Sequence, residues 1–88
     1  MVLRSNVIFY QNICENLSTT QINLIKVVVS GETKFTSSEV MQYYKLGTPR
    51  NVSKNKLMLE TKDIIDFHAE RAYFVDPFFE FWFRKTFV

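Results

Sequence analysis

The tripeptide Gly47-Thr48-Pro49 restricts the fold of this chain more than any other feature. A threonine before a proline is a typical helix N-cap, because proline at the first helical position loses no hydrogen bond. The glycine before them supplies a helix stop. The pattern therefore predicts a short helix from Ser37 to about Lys45, a tight turn, and a longer helix that ends at about Lys62. Two helices joined in this way form a helix-turn-helix.

Two further helices are predicted before the helix-turn-helix. Apolar residues recur at helical spacing from Leu3 to Leu17. Ser18-Thr19-Thr20-Gln21 then has the pattern of a capping box, which starts a helix over residues 19–30 that Gly31 ends. A second capping box, Thr36-Ser37-Ser38-Glu39, is predicted at the start of the short helix.

Short apolar runs and a proline define the rest of the chain. Ile64 to Phe67 and Tyr73 to Val75 predict an antiparallel hairpin with a polar tip. Asp76-Pro77 caps and starts a last helix, and Lys34-Phe35 is predicted as a brief extended strand. The fold class is therefore mostly α with a small β-hairpin, a winged helix-turn-helix with an additional helix at each end. We expect residues 1–88 to form a single domain, because this length allows one small domain and not two.

The composition argues against several classes of protein. The longest apolar run is Val27-Val28-Val29, too short to span a membrane, and the N-terminus lacks the continuous apolar region of a secretory signal. Cys14 and His68 are the only residues of their types, which is too few for a disulfide or a zinc site. No Ser/His/Asp or Cys/His arrangement is supported. We therefore expect a cytoplasmic domain that is not an enzyme, holds no metal or cofactor and binds no membrane.

Several short segments of the second half share the pattern of a known family. The carrying segments are Ser38-Glu39-Val40, Tyr44, Leu46, Asn51-Val52-Ser53-Lys54, Leu59, Ile64-Ile65 and Tyr73 to Arg84. They resemble the winged-helix domain that follows the P-loop ATPase module in the archaeal and bacterial AAA-type ATPase family. The run that begins with Asp76-Pro77 is the most specific part of the resemblance. Two positions depart from the family pattern: Lys56 replaces an apolar residue and Asp63 replaces a glycine.

The resemblance implies a larger parent protein. No G-x-x-x-x-G-K-[ST] motif occurs in these 88 residues, so the ATPase module itself is absent. The chain would then be a fragment of a longer ATPase, and ATP and Mg²⁺ would belong only to the missing module. The implied partner is that module.

The fourth helix carries residues that suit duplex DNA. A DNA-binding winged helix places this helix in the major groove, where Arg, Lys and Asn reach phosphates and base edges. At 100° per residue, Leu57 lies on the same outer side as Arg50 and Lys54, and it suits a protein partner better than DNA. Both partners stay open. The predicted nucleic-acid-binding residues are Arg50, Asn51, Ser53, Lys54 and Lys56.

The last helix has an unusually wide aromatic surface. Phe78, Phe81 and Trp82 form one stripe, and Phe79 and Phe83 form its neighbour. Together they exceed the width that one core-facing stripe needs. We expect the first stripe in the core and part of the second at an interface with the ATPase module, a target protein or another copy in a weak homo-oligomer. The predicted interface residues are Leu57, Phe79, Phe83 and Phe87.

Overall fold

A computed structural model describes the chain over residues 2–68 and 71–87, with side chains described from residue 7 onward. Within these ranges the chain forms five helices and one antiparallel hairpin, which confirms the predicted winged-helix class. The helices before the hairpin are α1 (Val2–Glu15), α2 (Thr19–Val29), α3 (Ser38–Tyr43) and α4 (Pro49–Thr61). The strands β1 (Ile65–His68) and β2 (Arg71–Phe74) and the helix α5 (Pro77–Phe87) follow.

Side-chain caps start α2 and α4 as predicted. The hydroxyl of Ser18 accepts a hydrogen bond from the backbone amide of Gln21 at 3.1 Å, and the Gln21 side chain accepts one from the Ser18 amide at 3.1 Å. The two bonds complete the capping box. The Thr48 hydroxyl accepts from the amide of Asn51 at 3.2 Å, and Pro49 occupies the first helical position.

Two predictions for the segment before α3 are wrong. The cap is Ser37 instead of Thr36, because the extended backbone at Ser37 delays the helix by one residue and its hydroxyl accepts from the amide of Val40 at 3.3 Å. The predicted strand at Lys34-Phe35 is a turn, closed by a hydrogen bond from the Ser37 amide to the Lys34 carbonyl at 3.2 Å. The segment turns there because Phe35 is buried in the core, 6 % exposed.

The hairpin forms the wing. Ile65 lies opposite Phe74, and His68 lies opposite Arg71. The backbone of Asp63 is left-handed, with φ of 57°, a conformation that aspartate tolerates better than most residues. This conformation turns the chain from α4 into β1. The predicted tip includes residues 69–70, which lie outside the described residues.

One core connects the helices and the wing. Every element except β2 contributes a buried apolar side chain, although half-buried residues of β2 pack against the same cluster. Its most completely buried members are Leu24, Ile25, Val27, Leu46, Val52, Leu59, Ile65 and Phe83. None of the helices in the described ranges has both the length and the apolar character to cross a membrane.

The predicted roles of the two aromatic stripes of α5 are wrong for four of the five residues. Phe79 and Phe83 are buried, 3 % and 0 % exposed, whereas Phe78 and Phe81 are 65 % and 58 % exposed. The ring of Tyr10 in α1 packs edge-on against Phe79 at 5.3 Å between centroids, which fixes the buried side of the helix. Phe78 and Phe81 therefore form the aromatic surface that α5 leaves exposed, whereas Trp82, the third member of their stripe, is half-buried and packs against the core as predicted.

Candidate nucleic-acid interface

The helix α4 packs one side into the core and leaves the other side open. Val52 and Leu59 are buried, 1 % and 0 % exposed, and α4 contacts both α2 and β1. Thirteen residues at 1.5 Å each give the helix a length of about 20 Å. An α-helix with its side chains is about 10–12 Å across, which fits the width of a major groove, about 12 Å.

The exposed side of α4 is a narrow face that we call the outer face. It consists of Arg50, Ser53, Lys54, Leu57 and Thr61, all of them exposed. At 100° per residue, four of these five residues fall within a sector of about 60°, and Ser53 lies about 40° outside it. Two of the predicted DNA-binding cations thus share one open surface with Leu57, which is 61 % exposed.

Asn51 lies against the turn of the helix-turn-helix. Gly47 has a left-handed backbone, with φ of +86°, and a Cβ placed on it would lie 2.7 Å from the Asn51 Nδ2 atom. The Asn51 side chain therefore covers the glycine while staying exposed to solvent. Asn51 is displaced from the middle of the outer face and supports the turn.

Lys56 departs from the predicted group of DNA contacts. Its ammonium lies over the rings of Phe35 and Phe67, at 5.2 and 5.0 Å from the centroids, and the residue is half-buried. A cation over an aromatic face is attracted by the ring quadrupole. This contact explains how a lysine occupies a position where the resembling family has an apolar residue. It also directs the charge toward the wing instead of the outer face.

Glu60 is the only acidic residue of α4, and its carboxylate is also directed toward the wing. The Glu60 Oε2 atom accepts a hydrogen bond from the backbone amide of Phe67 at 3.1 Å. A negative charge that would oppose phosphates is thereby held by β1, away from Arg50 and Lys54. The sequence alone gave no signal for this contact, because it depends on the register between α4 and the hairpin.

A polar link that the sequence analysis missed positions α4 on α2. Gln21 is buried, 8 % exposed, and its Nε2 atom donates to the Asn55 Oδ1 atom at 3.2 Å. The Asn55 amide in turn donates to the carbonyl of Asn51 at 2.9 Å. A buried amide must be hydrogen-bonded to avoid a desolvation penalty. These two hydrogen bonds therefore fix the position of α4 on α2. The sequence predicts Gln21 only as part of a capping box, and that pattern does not indicate that the same side chain also bonds to α4.

Comparison with known proteins agrees with this geometry. Residues 8–85 match the sequence profile of a family described as "Probable winged helix domain". The chain belongs to this winged-helix family. Winged-helix domains are typically non-catalytic and commonly bind DNA or proteins. No curated protein and no solved structure matches the chain.

The wing of this winged-helix domain presents two ionisable side chains near its tip. His68 and Arg71 lie opposite each other and both are exposed. The His68 ring is 6.1 Å from that of Tyr73, centroid to centroid. Asp66, paired with Tyr73, lies on the same face of the hairpin as His68 and Arg71 and is also exposed, so this face carries charges of both signs.

The start of α5 is held against α1 by a hydrogen bond between side chains. The Tyr10 hydroxyl donates to the Asp76 Oδ2 atom at 2.7 Å, and Oδ1 accepts from the amide of Phe78 at 2.9 Å. The predicted cap at Asp76 is therefore confirmed. Burial, the hydrogen bond and the negative charge of Asp76 raise the pKa of Tyr10 to about 12.

The single cysteine has no reactive character. Burial raises the pKa of the Cys14 thiol to about 11, so the thiol stays protonated near neutral pH. It packs against the core as a small apolar residue. Among the described residues, no three His, Cys, Asp or Glu side chains come together as metal ligands would.

The predicted interface residues lie in different environments. Leu57 is exposed, and Phe87 is 36 % exposed where it stacks on Phe83 at 4.5 Å between centroids. Phe79 and Phe83 are core residues, because Tyr10 and β2 pack over their side of α5, and they offer no open surface to a partner. The exposed aromatic rings of α5 belong to Phe78 and Phe81.

Proposed function

We propose that this winged-helix domain binds duplex DNA by placing the outer face of α4 in the major groove. The observation that carries the proposal is the exposure of Arg50 and Lys54 on one narrow face whose neighbouring carboxylate, Glu60, is held by the wing. A face of this kind attracts phosphates without an opposing charge.

The proposed mode of binding assigns each predicted residue a role. Arg50 and Lys54 contact phosphates and base edges near the N-terminal half of α4, with Ser53 donating from the flank. Asn51 keeps the turn closed over Gly47, and Lys56 positions α4 against Phe67 of the wing and Phe35 of the turn before α3. Arg71 on the hairpin is the proposed wing contact to the backbone.

A salt-dependent titration tests the proposal. A fluorescent duplex of about twenty base pairs is titrated with the domain over a series of salt concentrations. Each phosphate contact contributes a slope of about −0.9 to a plot of log affinity against log salt. The double variant Arg50→Ala, Lys54→Ala should therefore bind more weakly and lose about 1.8 from the slope. Absence of binding at low salt, or an unchanged slope in this variant, would overturn the proposal.

The control is a variant with the same change of charge on another helix. Arg84 and Lys85 lie in the last turn of α5, and Arg84 forms an exposed ion pair with Glu80 at 3.0 Å. Exposed pairs of this kind add little to stability. The double variant Arg84→Ala, Lys85→Ala should retain the slope of the original domain. An equal loss in both variants would indicate attraction to net charge instead of a site on α4.

A second candidate function is docking to a protein. Exposed Phe78 and Phe81 favour it, because aromatic rings open to solvent are enriched where partners bind. The partner would be an ATPase module, a target protein or a second copy of the chain. The link to a parent AAA-type ATPase, with its ATP and Mg²⁺, rests on the sequence resemblance and stays a prediction. Sedimentation without DNA measures self-association separately from DNA binding. The sample to compare with the domain is the double variant Phe78→Ser, Phe81→Ser.

A further inference from the structure

Leu57 is the one large apolar side chain of the outer face. It is 61 % exposed, and Lys54 lies three residues before it on the same side of α4. Three residues of helix separate the two by about 4.5 Å along the axis. Side chains on the exposed side of a helix that enters the major groove reach the base edges.

We propose that Leu57 contacts the 5-methyl group of thymine and gives the domain a preference for A·T base pairs; this inference rests on the proposed function. The thymine methyl is the only apolar group on the major-groove edge of the four base pairs. An aliphatic side chain at the base edges can recognise it without a hydrogen bond.

The surroundings of Leu57 favour a base edge over a protein partner. Its neighbours on the outer face are polar or charged, and the other large exposed apolar residue of α4 is Met58, 37 % exposed and turned by about 100°. Half-buried Phe67 of the wing lines a groove beside Leu57, but the polar side chains of Ser53, Lys56 and Glu60 line the same groove. The apolar surface around Leu57 is therefore broken by polar groups, unlike the contiguous apolar patch of a typical docking site. A single aliphatic group beside Lys54 suits a methyl group in a groove lined by phosphates.

Two duplexes that differ only in methyl groups test the inference. One is an alternating A·T duplex of about twenty base pairs, and the other carries deoxyuridine in place of every thymidine. The hydrogen-bonding groups and the charge of the two duplexes are the same. Burying one methyl group corresponds to about a fourfold change in affinity. The domain should therefore bind the thymidine duplex about fourfold more tightly for each methyl group that it contacts.

Two variants show whether Leu57 is responsible. Leu57→Ala should bind both duplexes equally and keep the salt dependence of the original domain, since it removes no charge. Met58→Ala is the matched control and should keep the preference for thymidine. Any effect of methyl groups on duplex shape would persist in Leu57→Ala, so its disappearance there assigns the preference to the side chain.

The outcomes separate this inference from the proposed function. Equal affinities for the two duplexes, with Arg50 and Lys54 still required, would refute the role of Leu57 and leave DNA binding by α4 intact. A preference that survives in Leu57→Ala refutes the role as well. If neither duplex binds at low salt, both proposals fall. A change in sedimentation of Leu57→Ala without a change in duplex preference would assign Leu57 to a protein contact.

Discussion

Replacing Gly47 by alanine tests whether the turn of the helix-turn-helix is built as described. Two separate costs follow from the structure. The backbone φ of +86° is left-handed, which costs alanine about 1–2 kcal/mol, and reduced freedom of the unfolded chain offsets about 0.4–1 kcal/mol of this. In addition, the new Cβ would lie 2.7 Å from the Asn51 Nδ2 atom. The short amide side chain must leave its rotamer, at about 0.5–1.5 kcal/mol.

Gly31 provides the matched control. Its φ is +85°, but nothing lies within 4 Å of a Cβ placed there. Gly31→Ala should therefore show the backbone cost alone, about 1 kcal/mol, and Gly47→Ala should lose about 2 kcal/mol. In the background of Asn51→Ala the excess cost at Gly47 should disappear, because the clashing amide is gone.

Urea unfolding measures these differences directly. Trp82 is the only tryptophan, and its half-buried ring packs against Tyr10 at 5.6 Å between centroids, so its fluorescence reports unfolding of the core. The free energy of unfolding follows from the midpoint and the slope of the transition. Equal losses for the two glycine variants, or an excess that persists without the Asn51 side chain, would refute the proposed packing of the turn.

Two further predictions concern α1 and the wing. The pKa of Tyr10 is raised to about 12 from about 10 in the unfolded chain. Its contribution to the free energy of unfolding is therefore complete below pH 10 and is lost as the pH rises toward 12. Urea unfolding over this pH range should show a smaller decline of that free energy for Tyr10→Phe than for the original domain. Lys56→Met keeps the aliphatic stem but removes the ammonium from the rings of Phe35 and Phe67, and should cost about 0.5–2 kcal/mol of unfolding free energy. The exposed Lys85, 4.7 Å from the Phe81 ring, gives the comparison, since Lys85→Met removes one exposed contact and should cost less, about 0.5 kcal/mol. An equal effect of both changes would contradict the account of Lys56.

The elements that sequence reasoning found are those determined by local chemistry. Ser18, Thr48 and Asp76 cap their helices through hydrogen bonds to amides two or three residues away, so short patterns were sufficient to locate them. The fold class followed from the order of these signals. The cap at Ser37 was misplaced by one residue because several hydroxyl-bearing residues stand in a row, and only the backbone conformation selects one.

The features that sequence reasoning missed depend on tertiary packing. The width of the aromatic surface on α5 was evident, but its buried side was set by Tyr10, which lies more than sixty residues earlier in the chain. Phe35 was predicted in a strand, and instead its burial beside Lys56 turns the segment into a loop. The bonds of Gln21 to Asn55 and of Glu60 to the wing likewise join elements whose relative positions no local pattern specifies.

Chemical-shift mapping of the isotopically labelled domain tests the central claim, the docking of α4 on DNA, most directly. Amide resonances are recorded with and without a duplex of about twenty base pairs at low salt. The account predicts the largest shifts on the outer face, at Arg50, Lys54 and Leu57, with smaller shifts at Arg71 on the wing. Resonances of α5 at Phe78 and Phe81 should stay in place. Shifts confined to α5, or none on α4 when DNA is bound, would contradict the account.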